Sequence, residues 1–275
     1  YLGREAHVTD ELLSWKLGGV YKPVSNGSIY VSYATSELPP GGSNFALNTD
    51  PATIAAGSNI NNPNLDPQKG TNIEVGTKWN LMNDKLFFTA AAFKSTNENE
   101  IATNADGSSA AVGEKQVEGV EFALIGSVTD AWQINAGLAF MDSEIIRGNR
   151  TAANNGSSNN EGGAIQWTPE VTFTLWNTYT FANGLIIGGG ARYVDTMVSS
   201  SVTTAQAQAA RSVLEFGDYW VVDAMASYPV NKNVTLQLNV MNLTDEEYIG
   251  SLNNGGSRYF PGQPLSARLG VNFAF

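Results

Sequence analysis

Residues 265–275 read LSARLGVNFAF, and apolar side chains alternate with mostly polar ones along this stretch. A β-strand places alternate residues on opposite faces, whereas a helix would scatter both sets around its circumference. The stretch is therefore predicted to be a strand with one apolar face and one mostly polar face. The apolar positions are Leu265, Ala267, Leu269, Val271, Phe273 and Phe275, and the others are Ser266, Arg268, Gly270, Asn272 and Ala274.

The same two-residue period recurs in many other parts of the chain. WQINAGLAF at 132–140, VTFTLWNTYTF at 171–181 and VTLQLNV at 234–240 each separate apolar from polar residues in this way. Their β-branched and aromatic residues favour a strand over a helix. Eleven strands are predicted, at about 12–22, 28–36, 71–81, 86–96, 116–127, 132–145, 167–181, 185–198, 218–228, 234–247 and 265–275.

The connections between these strands alternate strictly between short and long. Tight turns at one end of a meander and long loops at the other are typical of an outer-membrane barrel. Long loops placed so regularly are uncommon in a soluble β-sandwich. The sequence therefore predicts an all-β fold, a transmembrane antiparallel up-and-down β-barrel. The short connections are 23–27, 82–85, 129–131, 182–184 and 229–233, and the long ones are 37–70, 97–115, 146–166, 199–217 and 248–264.

The composition fits a β-barrel in a membrane and excludes several other classes of protein. Charged residues make up 15% of the 275 residues, against about 25% in ordinary globular domains. The chain has no run of 18 apolar residues, which excludes a spanning helix but not spanning strands of about 9–11 residues. The net charge of −11 argues against nucleic acid as a partner. With no cysteine and one histidine, His7, we expect neither a catalytic site nor a metal site.

The two faces of each strand have predictable surroundings. In lipid every backbone polar group must be paired within the protein, so the sheet must close and turn its apolar face outward. Aromatic residues beside the short turns would form a girdle at the membrane surface. An odd count of eleven strands, with the first and last running in the same direction, indicates the C-terminal half of a larger barrel. The expected girdle residues are Trp132, Tyr179, Phe181, Tyr228 and Phe275.

Several motifs carry a family resemblance. They include EVGTKW at 74–79, GVEF at 119–122, NLTDEEY at 242–248 and the terminal Phe275, together with YATSELPPGGSNFAL at 33–47 and SRYFPGQP at 257–264. The first four resemble the TonB-dependent outer-membrane receptors, and the last two resemble their catecholate-siderophore branch. The acidic residues of NLTDEEY are interpreted as a strand-end and packing signal rather than as paired catalytic acids.

The resemblance implies the organisation of the whole protein. The complete barrel would have about 22 strands around an N-terminal plug, the class of barrel with a filled lumen. Residues 1–275 would be its C-terminal part, with the plug and the first half of the barrel absent from this chain. The receptor would lie in the bacterial outer membrane, among lipid and lipopolysaccharide. It would import a ferric siderophore, hold no covalent cofactor, and engage the TonB complex through the absent N-terminal region.

The resemblance also implies a class of ligand and therefore candidate binding residues. A ferric catecholate complex is anionic and has aromatic faces, so arginine and aromatic side chains on the long loops are the expected contacts. For each arginine the alternative is solvation, and for Tyr259 and Phe260 it is an outer aromatic girdle. The candidates are Arg258, Tyr259, Phe260, Arg147, Arg150, Arg211, Phe45 and Trp167.

Two further arginines, Arg192 and Arg268, fall on polar strand faces and should point into the lumen. There they are expected to pair with carboxylates of the plug or with Glu121 and Asp223 on neighbouring strands.

Two other functions remain open on the sequence alone. One is a passive porin-type pore of about 12 strands, a size within the range of outer-membrane barrels. The other is a small-barrel outer-membrane enzyme, which would need a histidine beside a serine or a carboxylate. His7 is the single histidine and precedes the first predicted strand, so an enzyme is not expected.

Overall fold

The computed structural model describes residues 9–39, 65–103, 109–148, 160–198, 215–252 and 258–274. Within these ranges eleven strands form one antiparallel sheet in chain order, as predicted. The strands of the sheet are β1 (Trp15–Val24), β2 (Gly27–Leu38), β3 (Gln68–Leu81), β4 (Leu86–Thr103), β5 (Ser109–Ser127), β6 (Trp132–Arg147), β7 (Val171–Thr180), β8 (Ile186–Val194), β11 (Tyr219–Asn231), β12 (Val234–Met241) and β15 (Ser266–Phe273). Two short ladders lie beside it, β9 (Met197–Val198) with β10 (Glu215–Phe216) and β13 (Ile249–Leu252) with β14 (Tyr259–Pro261).

In the described part of the chain, no helix is long and apolar enough to cross a membrane.

The strand register aligns the apolar residues across the whole sheet. Residues that pair directly in an antiparallel sheet share a face. Leu269 pairs with Leu238 between β15 and β12, and Phe173 pairs with Leu138 between β7 and β6. We call the side that carries these residues the apolar face. The opposite side, the polar face, includes Arg268, Asn239, Asp223, Arg192 and Glu121.

The apolar face has no second layer of protein against it within the described residues. Leu269 is 69% exposed, and exposed large hydrophobic residues recur on every strand of the sheet. A continuous apolar surface of this extent marks an interaction surface, and lipid is the partner that suits one running across a whole sheet. The strands at the two edges, β1 and β15, do not pair with one another in the described ranges.

Aromatic residues form two groups on the apolar face. Near the short turns, Trp132 pairs in register with Tyr179, whose ring centroid lies 4.9 Å from that of Phe181. At the other ends of the strands, the Trp220 ring lies 4.9 Å from Tyr193 and 5.8 Å from Phe173.

The two aromatic groups lie toward opposite ends of the sheet. Phe173 and Tyr179 are six positions apart on β7, which is about 20 Å along the strand. Strands of an outer-membrane barrel tilt by about 35–45°, so this separation is about 15 Å of membrane depth and fits within an apolar band about 25 Å tall. The predicted girdle at the short turns therefore has a counterpart at the long-loop end. Tyr228 lies on the same apolar face, paired with Leu236, and Phe275 lies outside the described residues.

Several predicted strand ends are wrong, each for a local reason. The loop expected at 97–115 is mostly β-hairpin, because β4 and β5 stay paired as far as Thr103 and Ser109. The extension begins with NENE at 97–100, which is polar on both faces and so carries no alternation to detect. The strand expected at 167–181 begins only at Val171, since Trp167 has a φ of 64° and Pro169 has no N–H to donate.

The strand expected at 234–247 ends at Met241. The next residue, Asn242, has a φ of 52°, a left-handed backbone conformation that ends the strand. The strand expected at 185–198 is also interrupted, because Asp195 accepts a hydrogen bond from the Thr196 amide and the chain then pairs with β10 instead.

Candidate functional site

Tyr259 and Phe260 lie in β14, and Arg258 directly precedes this strand. β14 is the second strand of the short β13–β14 hairpin. Leu252 pairs with Tyr259 and Ser251 with Phe260 across this hairpin. The side chains of Tyr259 and Phe260 are 64% and 65% exposed. The hairpin follows β12 and precedes β15 at the long-loop end of the sheet, so it presents two aromatic rings and a cation beyond the strands.

The 242–248 turn fastens this hairpin to the sheet. Asn242 is 1% exposed, and its side-chain amide donates to the carbonyl oxygens of Glu246 (2.9 Å) and Gln263 (2.8 Å). Its Oδ1 accepts from the Glu246 amide at 2.9 Å, and its own backbone amide donates to Asp223 Oδ1 at 2.8 Å. Asp245 Oδ1 accepts from the Leu265 amide at 2.9 Å. The NLTDEEY stretch is thus a turn and packing element, as predicted.

Tyr248, the last residue of this motif, joins the hairpin to the polar face. Its ring stacks on Tyr219 with centroids 4.3 Å apart. Arg192 Nη2 donates to the Tyr248 hydroxyl at 2.6 Å, and the guanidinium carbon lies 5.7 Å from the ring centroid. The Tyr248 ring also lies over Gly262, where any Cβ would collide with it. Arg192, Tyr219 and Tyr248, which we call the Arg–Tyr–Tyr stack, combine a cation with two aromatic rings.

A cavity of about 190 Å³ lies next to this stack on β6, β7, β8 and β11. Trp176 pairs with both Asn135 and Gly190 in register, and Gly190 also pairs with Asp223. The Trp176 ring lies across Gly190, since a Cβ there would fall 2.6 Å from Trp176 Cε3. The cavity is lined by Asn135, Thr174, Leu175, Trp176, Gly190, Ala191, Arg192 and Asp223.

A second polar cavity, of about 410 Å³, lies on β2 to β5. Its lining includes Asn72, whose buried Oδ1 has no hydrogen-bond partner among the described residues, and the ion pair of Lys115 with Glu100 at 2.5 Å. Hydroxyl and amide groups dominate this lining, and none of the described residues in it is aromatic. It is therefore a poorer match to an aromatic anion than the cavity beside Arg192.

Comparison with known proteins identifies the architecture. A family model described as "TonB dependent receptor-like, beta-barrel" matches residues 4–243. The chain belongs to the TonB-dependent receptors. It is 39% identical over 264 residues to the catecholate siderophore receptor Fiu of Escherichia coli K12, covering 96% of this chain and 33% of Fiu. It is 34% identical over 269 residues to the probable TonB-dependent siderophore receptor PiuA of Acinetobacter baumannii, covering 96% of this chain and 34% of PiuA.

Solved structures agree with these relationships. The closed form of the ferric-catecholate import receptor Fiu from E. coli K12 superposes with a TM-score of 0.79 at 38% identity, covering 95% of this chain and 35% of that one. The siderophore receptor PiuA from A. baumannii also gives 0.79, at 32% identity, covering 94% and 35%. The chain spans about a third of the length of these relatives.

The family assignment confirms several predictions. TonB-dependent receptors are β-barrels of the bacterial outer membrane, so the fold class and the location are as expected. The resemblance to the catecholate-siderophore branch is confirmed by the identity to Fiu. Its relatives are receptors rather than enzymes, which favours the predicted receptor over the alternative of a small-barrel enzyme.

The other predicted contact residues of this receptor chain have local partners or lie outside the described ranges. Arg147, at the end of β6, forms an ion pair with Glu114 at 2.8 Å. The Trp167 ring lies 5.5 Å from Phe216, and its amide donates to the Val198 carbonyl, so it covers the β9–β10 ladder. Phe45, Arg150 and Arg211, like His7, are not among the described residues.

The structure changes the expected partner of Arg192. Arg192 and Arg268 both lie on the polar face, as predicted. However, Arg192 donates to Tyr248 rather than to Glu121 or Asp223, and the Asp223 carboxylate is engaged by the Asn242 amide.

Sequence reasoning also missed Tyr248, Tyr219 and Trp176 as members of one site. One signal in the sequence could have indicated them. Trp176 and Tyr219 fall on the polar faces of β7 and β11, the two neighbours of the strand that carries Arg192.

Proposed function

We propose that this chain forms part of a receptor that binds ferric catecholate siderophores at the outer surface and imports them across the outer membrane. The observation that carries the proposal is the 39% identity to a catecholate siderophore receptor over 96% of the chain. Identity at this level across nearly every strand and turn extends beyond what a shared barrel architecture requires, because far less similar receptors also share the fold.

The residues at the long-loop end have chemistry that suits this ligand class. A ferric catecholate complex combines negative charge with flat aromatic rings, which arginine and aromatic side chains recognise together. The β13–β14 hairpin offers Arg258 with Tyr259 and Phe260, and the polar face offers Arg192 with Tyr248. These cations lie next to aromatic rings in a chain whose net charge is −11, and this placement supports an anionic aromatic ligand.

The architecture supports a larger, plugged barrel around these residues. An open sheet leaves backbone groups unpaired along β1 and β15, a cost that lipid does not permit. The relatives are about three times as long as this chain, and a protein of that length would contain the further strands needed to close the barrel. We therefore place residues 1–275 in the C-terminal part of a barrel of about 22 strands with an N-terminal plug, the filled-lumen class.

The partners follow from the same architecture. Import would draw on the TonB complex through the N-terminal region that precedes the barrel, in keeping with the family of the chain. The apolar face would contact outer-membrane lipid, including lipopolysaccharide in the outer leaflet. The ferric siderophore is the transported ligand and not a resident cofactor.

The test is equilibrium binding of radioactive iron complexes to the complete receptor in detergent. We expect saturable binding of a ferric tris-catecholate and at least tenfold weaker binding of a ferric trihydroxamate of similar size. Equal affinity for both complexes, or no saturable binding of the catecholate, would contradict the proposed ligand class. In planar bilayers the plugged receptor should conduct almost no ions, whereas steady conductance would indicate the porin-type alternative.

A further inference from the structure

We infer that the cavity of about 410 Å³ on β2 to β5 is a subsite for an uncharged, hydroxyl-bearing arm of the ligand, with the chemistry of a sugar. The inference rests on the proposed function and adds a second chemical group to the ligand, beside its ferric catecholate centre. The subsite is separate from the β13–β14 hairpin, because its described lining comes from β2 to β5 and from Ile165.

The cavity lies toward the long-loop end of the sheet, beyond the apolar band. The outward-facing residues at the level of its lining are polar. They pair in register across β2 to β5 and are Thr35, Thr71, Thr96 and Gln116. Four positions nearer the short turns, the same face carries the apolar pair Val31 and Val75. Because the lipid-facing band of a barrel is apolar, the cavity opens above this band, on the side from which the ligand arrives.

The charged residues of the lining neutralise one another. Lys115 Nζ lies 2.5 Å from Glu100 Oε2. The other oxygen of this carboxylate, Oε1, accepts a hydrogen bond from Asn97 Nδ2 at 2.7 Å. An anionic iron centre would have to compete with Glu100 for Lys115, so the cavity does not favour it. It favours a group that is polar but carries no charge.

The uncharged part of the lining offers hydrogen bonds to such a group. Ser36 and Ser95 contribute hydroxyl groups, which both donate and accept. Asn72 Oδ1 is buried and has no hydrogen-bond partner among the described residues, so no bond to this oxygen fixes the side-chain amide. A buried polar group without a partner is unfavourable. A half-turn of the amide would present the oxygen to the cavity, where an O–H of the ligand would satisfy it.

The size of the cavity suits one sugar ring. Its volume of about 410 Å³ falls within the range of small-molecule sites, and a cavity of about 150 Å³ is sufficient to bind benzene. Three catecholate rings would need about 450 Å³ on that measure, so a complete ferric tris-catecholate does not fit. Ala34, Val117 and Ile165 add apolar surface that can contact the C–H groups of a sugar.

The wall at Ile165 is held in place by β6. The Ile165 amide donates to Ser143 Oγ at 3.2 Å. Ile145 exchanges backbone hydrogen bonds with Gly162 and Gly163, both at 2.9 Å. The segment that follows β6 therefore closes one side of the cavity, and the subsite is formed before a ligand binds.

The experiment measures the affinity of the complete receptor for two ferric tris-catecholates that share one iron centre. Each ring carries a hexose in one complex and a cyclohexyl group in the other. Asn72→Leu removes the amide, and Ser95→Phe fills the cavity from β4. Asn239→Leu is the matched control, because Asn239 is also an asparagine on the polar face but lies on β12, outside the cavity lining. Retention of the folded barrel is checked for each variant by its heat-modifiable electrophoretic mobility.

We expect the wild-type receptor and Asn239→Leu to bind the hexose complex at least tenfold more tightly than the cyclohexyl complex. In Asn72→Leu and Ser95→Phe this preference should fall below threefold, because the first variant lacks the amide and the second leaves no room for the sugar.

Equal affinities of the wild-type receptor for the two complexes would overturn the subsite and leave the proposed function standing. An undiminished preference in both folded cavity variants would also overturn it, since another part of the receptor would then recognise the hydroxyl groups. Failure of the wild-type receptor to bind an unsubstituted ferric tris-catecholate would instead contradict the proposed function itself.

Discussion

The apolar and polar faces of the sheet are built from the same strands but depend on different interactions. On β12 and β15, Leu238 and Leu269 pair on one side while Asn239 and Arg268 pair on the other. The apolar face is specified by hydropathy alone, so many side chains would serve at each position. The polar face is specified by individual partners, as where the Tyr30 hydroxyl donates to Glu74 at 2.5 Å and Arg192 donates to Tyr248.

Because the two faces differ in this way, we expect substitutions on them to have different effects. A change on the apolar face should alter the stability of the barrel in lipid and leave the ligand site unchanged. A change in the polar-face cluster or its turn should act on local order or on affinity.

The largest effect is expected for Leu269→Arg, on the apolar face near the middle of β15. A charged side chain on the lipid face near the midplane costs about 2–4 kcal/mol. Refolding of the complete receptor into lipid vesicles, followed through urea titration, would measure the loss. Gln237→Arg is the matched control on the polar face, where its register partner Gly270 leaves space. Equal losses for both variants would contradict the assignment of the two faces.

The next effect is expected for Asn242→Ala, at the turn below the β13–β14 hairpin. The change removes the three hydrogen bonds that the buried Asn242 side chain makes with the Glu246 and Gln263 backbone, at about 0.5–1.5 kcal/mol for each bond. We expect faster proteolysis within 249–261. Asn242→Gly retains the backbone freedom that a φ of 52° requires, so it separates strain from lost hydrogen bonds. Unchanged cleavage in both variants would contradict the anchoring role of the turn.

A smaller effect is expected for Arg258→Ala, measured as ferric-catecholate affinity of the complete receptor. Arg258 is exposed on the hairpin, so solvent weakens its attraction to an anion. We expect binding to weaken about three- to tenfold, which corresponds to about 0.7–1.4 kcal/mol. The Arg258→Lys variant should retain part of this affinity. Wild-type affinity in Arg258→Ala would remove this residue from the site.

The smallest effect is expected at the short turns, where Lys85 Nζ donates to Asp130 Oδ1 at 2.5 Å. The hydrogen bond from Lys85 holds the pKa of Asp130 below its ordinary value of 3.8. A lowered folded-state pKa stabilises the fold above the unfolded value, and this contribution is lost as the pH falls through the folded value. Stability should therefore decline slightly below about pH 4, and Lys85→Gln should remove that part of the decline. An identical acid profile in the variant would show that the pair contributes nothing.

The apolar face could be predicted almost completely from the sequence. Alternation has a period of two wherever one side of a strand meets lipid, so stretches such as 132–140 and 171–181 indicate both the strand and its orientation. Prediction failed where both faces are polar, as at residues 97–100 of β4, and where one residue turns the chain, as at Trp167 and Asn242. Those boundaries depend on single backbone conformations that no periodic signal reveals.

The candidate site was predictable only in part. The composition of GGSRYFPG indicated a cluster of an arginine and aromatic residues at Arg258. The two-residue alternation along the strand placed Arg192 on the polar face. Nothing in the sequence shows that Tyr248 would fold back to meet Arg192, because the contact joins β8 to a turn 56 residues later. The orientation of Trp176 across Gly190 likewise depends on the register of two strands.

The most direct test of the two-faced sheet is a cysteine scan along β15 in the complete receptor, with any cysteine outside these residues replaced. Residues 1–275 contain no cysteine, so each introduced thiol reports one position. A fluorophore at Ala267→Cys, Leu269→Cys or Val271→Cys should be quenched by brominated lipid, and one at Ser266→Cys, Arg268→Cys or Asn272→Cys should not. Equal quenching of both sets, or quenching of the second set alone, would contradict the account.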